Sequence, residues 1–500
     1  MEQTKRSAKK KVVIIGAGPG GLSAGMILAA RGYDVHIYER QAVPGGRNAS
    51  MQVNGFTFDI GPTFLLMKYI LDQTFALAGK RSEDYLTFTK LDPMYVLNFP
   101  DAKLNVSSDH DKMYEEIKRV FPGDEEGFRA FLTAEKKKFD TMYPCLETDY
   151  SSLKRMFSRK LLRALPYMDA FKSVYDVAAK YFKHELLRLS FTFQAKYLGM
   201  SPWKCPGAFG ILSYIEHVAG IYHVEGGLSS ISEAMAKVIT ELGGTIHYNT
   251  SVASIETAGR TITGLTLANG EHVEGDVFVL NADFAYATTH LFKEGALKKY
   301  TKKKVEKLEY SCSTYMLYLG VDKVYDEPHH QIVFANDYHA NLNDIFDNHK
   351  LSKDFSLYIR NATPRDATLA PEGKSSLYVL VPVPNNQKSG IDWAIEGPRI
   401  RKEIFCVLKE RTSFTDLEEH IVTERIITPK DWEGGHNVFF GATFNLSHKL
   451  SQMLYLRPRN RFEEFTNCYL VGGGTHPGSG LPTIYESARI SSNLIDQYHG

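Results

Sequence analysis

The stretch "KKVVIIGAGPGGLSAGMILAARGYDVHIYERQAVPGGRN", Lys10 to Asn48, constrains the chain more than any other. Val12 to Ile15 are a short β-rich apolar run bounded by glycine, the pattern of a parallel strand buried on both faces. Gly16, Gly18 and Gly21 follow in the G-x-G-x-x-G spacing, and Leu22 to Ala30 has the small and apolar residues of a tightly packed helix. Each glycine has its own physical work. Gly16 permits the turn out of the strand, Gly18 lets the backbone approach a pyrophosphate, and Gly21 lets helix and strand pack with no Cβ between them. The pyrophosphate would sit on the unpaired N–H groups and positive dipole end of that helix, with Pro19 and Gly20 in the same turn. Gly32 can end the helix, and Asp34 to Glu39 alternates into a second strand with an acidic end. Glu39 stands where a carboxylate about 20 residues beyond the glycines accepts hydrogen bonds from the adenosine ribose. The order of strand, helix, second strand and acid reads as a dinucleotide site.

The residues after Glu39 separate FAD from NAD. The chain continues through Arg40 into Gly45, Gly46 and Arg47, and "GFTFDIGPT" adds Gly61 and Pro62. A second glycine pair followed by arginine suits a loop that wraps more phosphate and the flavin end. Nicotinamide sites usually release their cofactor and need less wrapping, so the reading favours FAD.

Residues 226–283 read as a second α/β stretch. "GGLSSISEAMAKVITELGG" is a helix with Ser229 or Ser230 as N-cap and Gly243 as stop, and Asn269-Gly270 is a hairpin turn between short strands. Residues 86–225 are largely helical in pattern. Residues 286–445 mix a charged helix, Lys302 to Leu308, with strands such as "STYMLYLGV", "HQIVFAND", "SSLYVLVPVP" and "HNVFFGATF". Near the end, "NCYLVGGGTHPGSGLPTIYESARISSNLI" gives a strand, a second glycine turn at 472–474 and a helix starting near Pro482. That turn would serve the same cofactor from its other side. The expected organisation is a Rossmann-like α/β domain in three pieces, 1–85, 226–285 and 446–500. Interleaved with them are a helical, substrate and membrane-associating region at 86–225 and a mixed-sheet substrate domain at 286–445.

Composition narrows the setting. A formal net charge of +1 over 500 residues exerts no general pull on nucleic acid. Five dispersed cysteines, none in a C-x-x-C pair, argue against a disulfide framework or zinc site, and no metal is expected. The basic start is followed by an apolar run too short for a signal-peptide core, and no stretch is long enough to span a bilayer. A cytoplasmic protein, soluble or bound to a membrane surface, is expected.

Together these motifs resemble the bacterial and fungal carotenoid (phytoene) desaturase family within the amine-oxidase-like flavoproteins. The likeness runs over nearly the whole chain: the opening glycine unit, "GFTFDIGPT", "YHVEGGLSSISEAM", "LAPEGKSSLYVLVPVP", "YLRPRN" and the more specific "GTHPGSGLP". It implies FAD contacts at Gly16, Gly18, Gly21, Glu39, Arg47, Thr63, Val252, Gly474, Gly480, Leu481 and Pro482. Pro19, Gly20, Arg40, Gly46, Gly61, Pro62 and Gly473 complete the candidate cofactor set. It also implies removal of hydrogen from an acyclic C30 or C40 polyene, with hydride passing to the flavin and electrons going on to a quinone or oxygen. The flavin carries the hard chemistry, and H-E-x-x-H does not occur.

A bilayer-borne substrate raises two further expectations. "SSLKRMFSRKLLRAL" places Leu153, Phe157, Leu161 and Leu165 on one helical stripe beside five basic residues and no acid, the pattern of a helix lying on an anionic membrane. "LLRALP" looks like the family segment that brings a basic residue to the flavin, making Arg163 the catalytic candidate; the aspartate that can precede it by three residues in the family is Lys160 here. Phe191, Phe193, Tyr197, Met200 and Trp203 are candidates for a substrate tunnel. A carotene isomerase, oxygenase or ketolase, or an amine or porphyrinogen oxidase, would share the FAD motifs. A prenyl-lipid-binding protein like the Rab GDP-dissociation inhibitors would share only the fold, and would need neither Glu39 nor a second flavin turn.

Overall fold

Strands from distant parts of the chain meet in one five-stranded parallel sheet. Its order is Thr245–His247, Asp34–Tyr38, Lys11–Ile15, Val277–Leu280 and Cys468–Leu470. The computed structural model describes residues 9–500, so part of the basic start lies outside the described residues. The strand Lys11–Ile15 is central, paired on both sides and apolar on both faces, as its sequence requires. The helix Pro19–Ala30 packs on this sheet between the helices Ser229–Glu241 and Leu481–His499. Its Gly25 makes that packing close, since an added Cβ would stand 2.8 Å from Ile37 Cδ1.

A second, seven-stranded sheet runs in the order Ile421–Ile427, Ser313–Val321, Ser375–Val383, Leu357–Asn361, His330–Val333, Tyr95–Asn98 and Lys103–Val106. Pairing is antiparallel except between His330–Val333 and Tyr95–Asn98. Strand alternation divides its faces. Tyr315 and Leu317 pack with Trp393, Ile400 and Ile404 of the helix Trp393–Arg411, while Thr314 and Met316 face an internal cavity between the two sheets' territories.

Several local expectations fail for identifiable reasons. Residues 151–165 do not form one helix: a 3-10 turn at Leu153–Phe157 stops at Ser158, whose extended backbone and side chain cap a separate short helix, Arg159–Ala164. Leu161 is consequently buried, so it leaves the proposed outward stripe. "HNVFFGATF" is not a strand, because Asn437, Phe440 and Gly441 all take positive φ and fold it into a 3-10 turn. Residues 86–225 contain helices but also contribute two strands to the large sheet. Neither Ser229 nor Ser230 caps its helix by side chain; Asp59, from the strand Phe56–Asp59, accepts the Ser229 N–H at 3.0 Å instead.

Candidate cofactor and substrate site

The two glycine turns lie against each other. Gly16 takes φ +96°, and a Cβ on Gly21 would stand 2.2 Å from the Gly16 carbonyl, so Gly21 closes the turn itself. A Cβ on Gly20 would stand 2.9 Å from the Gly472 nitrogen. Asn281, just after the strand Val277–Leu280, holds the junction by donating to the Gly16 carbonyl at 2.9 Å. Sequence reasoning missed Asn281, whose partner lies 265 residues away.

The helix that begins at the first turn and the helix that follows the second open toward the same cavity of about 940 Å³. The helix Pro19–Ala30 starts at Gly18 and the helix Leu481–His499 at Gly480; neither start has a side-chain cap or an acid in its first turn. Two uncapped positive dipole ends facing one cavity suit a ligand with negative charge at two places. Glu39, buried at the cavity edge, accepts from the Ala17 N–H at 2.7 Å and the Gln41 N–H at 2.9 Å. Its carboxylate is thereby fixed, and each oxygen keeps a lone pair for a hydroxyl donor.

Arg47 donates to Asp283 at 2.5 Å and to the Thr443 carbonyl at 3.0 Å, and lines the cavity. Burial raises the Asp283 pKa against the opposing pull of Arg47. Gly61 is needed because a Cβ would meet the Arg47 carbonyl at 2.3 Å. Thr63 shares a hydrogen bond of 2.5 Å with the Tyr358 hydroxyl.

Of the sequence-derived cofactor candidates, Gly16, Gly18, Pro19, Gly20, Glu39, Arg40, Gly46, Arg47, Gly61, Pro62, Thr63, Val252, Gly473, Gly480, Leu481 and Pro482 line this one cavity. Gly21 and Gly474 do not; the Gly474 Cβ position is 2.5 Å from Phe284, so that glycine serves packing. Arg163 is exposed on its short surface helix and does not line the cavity, so the structure does not bring it to the other candidates. Phe193 and Tyr197 line the cavity, whereas Phe191, Met200 and Trp203 pack elsewhere.

Beyond the glycine turns the cavity is walled by Phe64, Leu198, Ile211, Ile215, Ile332 and Leu380, among others. Two ionisable groups stand out. Lys196 faces the cavity, and its removal from solvent lowers its pKa to about 7; its ammonium lies 4.6 Å from the centre of the Tyr338 ring. Behind the wall, Glu216 accepts from Tyr95 at 2.7 Å and Gln194 at 2.8 Å, and burial raises its pKa to about 7 against those hydrogen bonds.

With this geometry in place, comparison with known proteins assigns the class. The family model described as flavin containing amine oxidoreductase matches residues 19–496. A 4,4'-diapophytoene desaturase (4,4'-diapolycopene-forming) of Methylomonas sp. is 54% identical over 98% of this chain and 96% of its own. A zeta-carotene-forming phytoene desaturase of Myxococcus xanthus is 40% identical over 97% of this chain and 94% of its own. The solved structure of a putrescine oxidase with redesigned cofactor binding superposes with a TM-score of 0.62, covering 98% of both chains at 12% identity, which speaks to fold alone. The chain belongs to the carotenoid desaturase family of flavin-containing amine oxidoreductases. Its cofactor is FAD, and the glycine cradle, the paired helix starts and the braced Glu39 fit that group.

Proposed function

We infer that this chain desaturates an acyclic carotenoid precursor, and we propose the C30 polyene 4,4'-diapophytoene over the C40 phytoene. The identity of 54% to a diapophytoene desaturase, against 40% to a phytoene desaturase, supports the shorter substrate. The observation that carries the reading is the single cavity that joins the glycine turns to an apolar wall. Each buried CH2 contributes about 0.8 kcal/mol, so a long hydrocarbon binds there without charged contacts.

In this reading the first helix start and its turn, Gly16, Gly18, Pro19 and Gly20, hold the pyrophosphate, and Glu39 with Arg40 holds the adenosine side. Gly46, Arg47, Gly61, Pro62, Thr63, Val252, Gly473, Gly480, Leu481 and Pro482 hold the flavin side, with Gly21 and Gly474 as packing supports. When bound, FAD supplies the acceptor for a hydride from an allylic carbon. The apolar wall orients the chain and keeps water away from the reacting carbons. A cofactor domain in three pieces, 1–85, 226–285 and 446–500, and a substrate region in two, 86–225 and 286–445, are part of the same proposal.

Membrane docking belongs to it as well. Leu153, Phe157, Leu162, Leu165 and Phe171 are exposed beside exposed Lys154, Arg155, Arg159, Lys160 and Arg163. Beneath them Leu161, Ala164 and Met156 pack with Cys145 and Leu454, whose chain neighbours Leu146 and Met453 line the cavity. That continuity supports entry of the polyene from an anionic membrane surface. Among the described residues no helix is long and apolar enough to cross a membrane. Products formed from diapophytoene and from phytoene in liposomes, resolved by chromatography, test the substrate assignment; preferential turnover of phytoene would refute the C30 proposal. Reoxidation of the reduced enzyme by a quinone or by oxygen identifies the acceptor.

A further inference from the structure

Desaturation leaves a proton to dispose of in an apolar cavity. A chain of buried hydrogen bonds starts on the cavity wall and leads away from it. Thr63 and Tyr358 both line the cavity, and their hydroxyls are 2.5 Å apart. The Tyr358 hydroxyl is 2.6 Å from His330 Nδ1, and His330 Nε2 is 3.0 Å from His329 Nδ1. On the far side His223 Nε2 is 2.7 Å from Asp366 Oδ2. Asp366 in turn accepts from the hydroxyl of the exposed Thr368 at 2.5 Å and from the Gly226 N–H at 2.9 Å.

Two proton orders satisfy these contacts, and one of them also leaves a donor on His329 opposite an acceptor on His223. In that order the tyrosine donates to His330 Nδ1, which puts the His330 proton on Nε2 for His329 Nδ1, and the His329 proton on Nε2. His223 donates from Nε2 to the carboxylate, which leaves its Nδ1 as an acceptor. His329 Nε2 and His223 Nδ1 are the two nitrogens in the series that lack a partner, and both are buried. Their rings are 4.9 Å apart between centres. An unpaired donor and an unpaired acceptor, each costly to bury alone, thus stand on the two neighbouring rings at the one gap in an otherwise continuous path.

We propose that Thr63, Tyr358, His330, His329, His223 and Asp366 form the path by which the proton released in desaturation leaves the cavity. The proposal rests on the desaturase reading. For each double bond made, one C–H breaks with its electron pair carried as hydride to the bound flavin. The neighbouring C–H breaks with its pair staying behind as the new C=C, and its proton enters the path at Thr63, whose own hydroxyl proton passes to Tyr358. Each imidazole takes a proton on one nitrogen and passes on the proton of the other, so one proton emerges per double bond. Bridging the gap takes a small ring movement or one water.

The charges around the path set its direction. Burial and the nearby Arg360, Arg365 and His223 hold His330 well below its ordinary pKa, and the same surroundings with His330 hold His329 low. Both rings therefore rest neutral, as a relay requires. Arg360 is itself paired with Asp59 at 3.2 Å. Burial would raise Asp366, but hydrogen bonds from His223, Thr368 and Gly226 outweigh it and hold the group at about 2. A fixed anion at the outer end draws positive charge away from the cavity.

His329 does not line the cavity, so His329→Gln tests the path without altering the substrate wall. Wild-type and variant holoenzymes are given 4,4'-diapophytoene in liposomes without oxygen, with flavin absorbance and a pH indicator followed together. The variant is expected to keep its FAD content and KM, to lose about 10²-fold in kcat, and to lose the solvent isotope effect of the wild type. Nitrogen NMR of 15N-histidine wild-type holoenzyme is expected to show His330 and His329 neutral and protonated at Nε2 from about pH 8 to about pH 5. This spectrum decides the matter even if the variant does not fold. Wild-type kcat and isotope effect in His329→Gln, or an Nδ1-protonated ring or a titration near the ordinary histidine value at either position, would overturn the path alone. A wild-type flavin that stays oxidised with every acyclic polyene would overturn the desaturase reading and the path with it.

Discussion

At Gly20 an added Cβ would stand 2.7 Å from the Asn281 side-chain oxygen and 2.9 Å from the Gly472 nitrogen, and the latter is backbone that cannot swing aside. Gly20→Ala therefore pushes the two glycine turns apart. Overpacking of this kind costs about 1–3 kcal/mol, and the variant is expected to purify with much less flavin absorbance than the wild type. Full FAD retention would show that the turns do not cooperate. A second residue-scale expectation concerns Glu216, whose pKa is raised by burial from 4.5 to about 7 in the folded protein. Between these values the folded state holds a proton that the unfolded chain has lost, so stability falls as pH rises through this window. The full effect is roughly 3 kcal/mol. Glu216→Gln removes that dependence, so its melting temperature is expected to exceed the wild type's at about pH 8 and approach it at about pH 4.5. Melting curves across that range check it; parallel curves for the two proteins would contradict it.

The elements legible in the sequence are those whose signal is local. The first strand, its glycine turn and helix, the second strand, the Asn269-Gly270 hairpin and the closing helix occur where residue spacing puts them. "STYMLYLGV" coincides with the strand Ser313–Val321. The features that the sequence hides depend on partners far along the chain or on single backbone angles. Asp59 replaces a serine cap from 170 residues away, and Asn281 locks a turn that it follows by 265 residues. The positive φ of Asn437 and Phe440 turns an apolar, strand-like run into a 3-10 segment. The break at Ser158 changes which apolar residues reach the surface: Phe157 is 70% exposed, while Leu161 is only 3% exposed. Membrane docking through the broken element predicts that changing Phe157, Leu162, Leu165 and Phe171 together to serine abolishes flotation with anionic vesicles. FAD content should not change. Changing Lys154, Arg155 and Arg159 to glutamine should weaken flotation by about 1 kcal/mol per charge, and only on anionic vesicles. Undiminished flotation of both variants would place the contact elsewhere.

On the scale of the whole molecule, two sheets divide the work. The parallel sheet gathers strands from near both ends and the middle of the chain, so that two glycine turns more than 400 residues apart meet over one cavity. The larger sheet gives that cavity a wall, with alternate residues turned inward to the cavity and outward to the helix Trp393–Arg411. The cofactor motifs are legible in the sequence because a flavin demands fixed spacings. The apolar wall is not, because its residues come from many elements and share no spacing; Phe193 and Tyr197 face the cavity while nearby Phe191 and Met200 do not. The central claim is that this cavity holds FAD beside an acyclic polyene and desaturates it. Its most direct test is the absorbance of the purified holoenzyme mixed, without oxygen, with liposomes carrying 4,4'-diapophytoene. Bleaching of the flavin band together with a product absorbing at longer wavelength is the expected result; a flavin band unchanged by diapophytoene and by phytoene would contradict it.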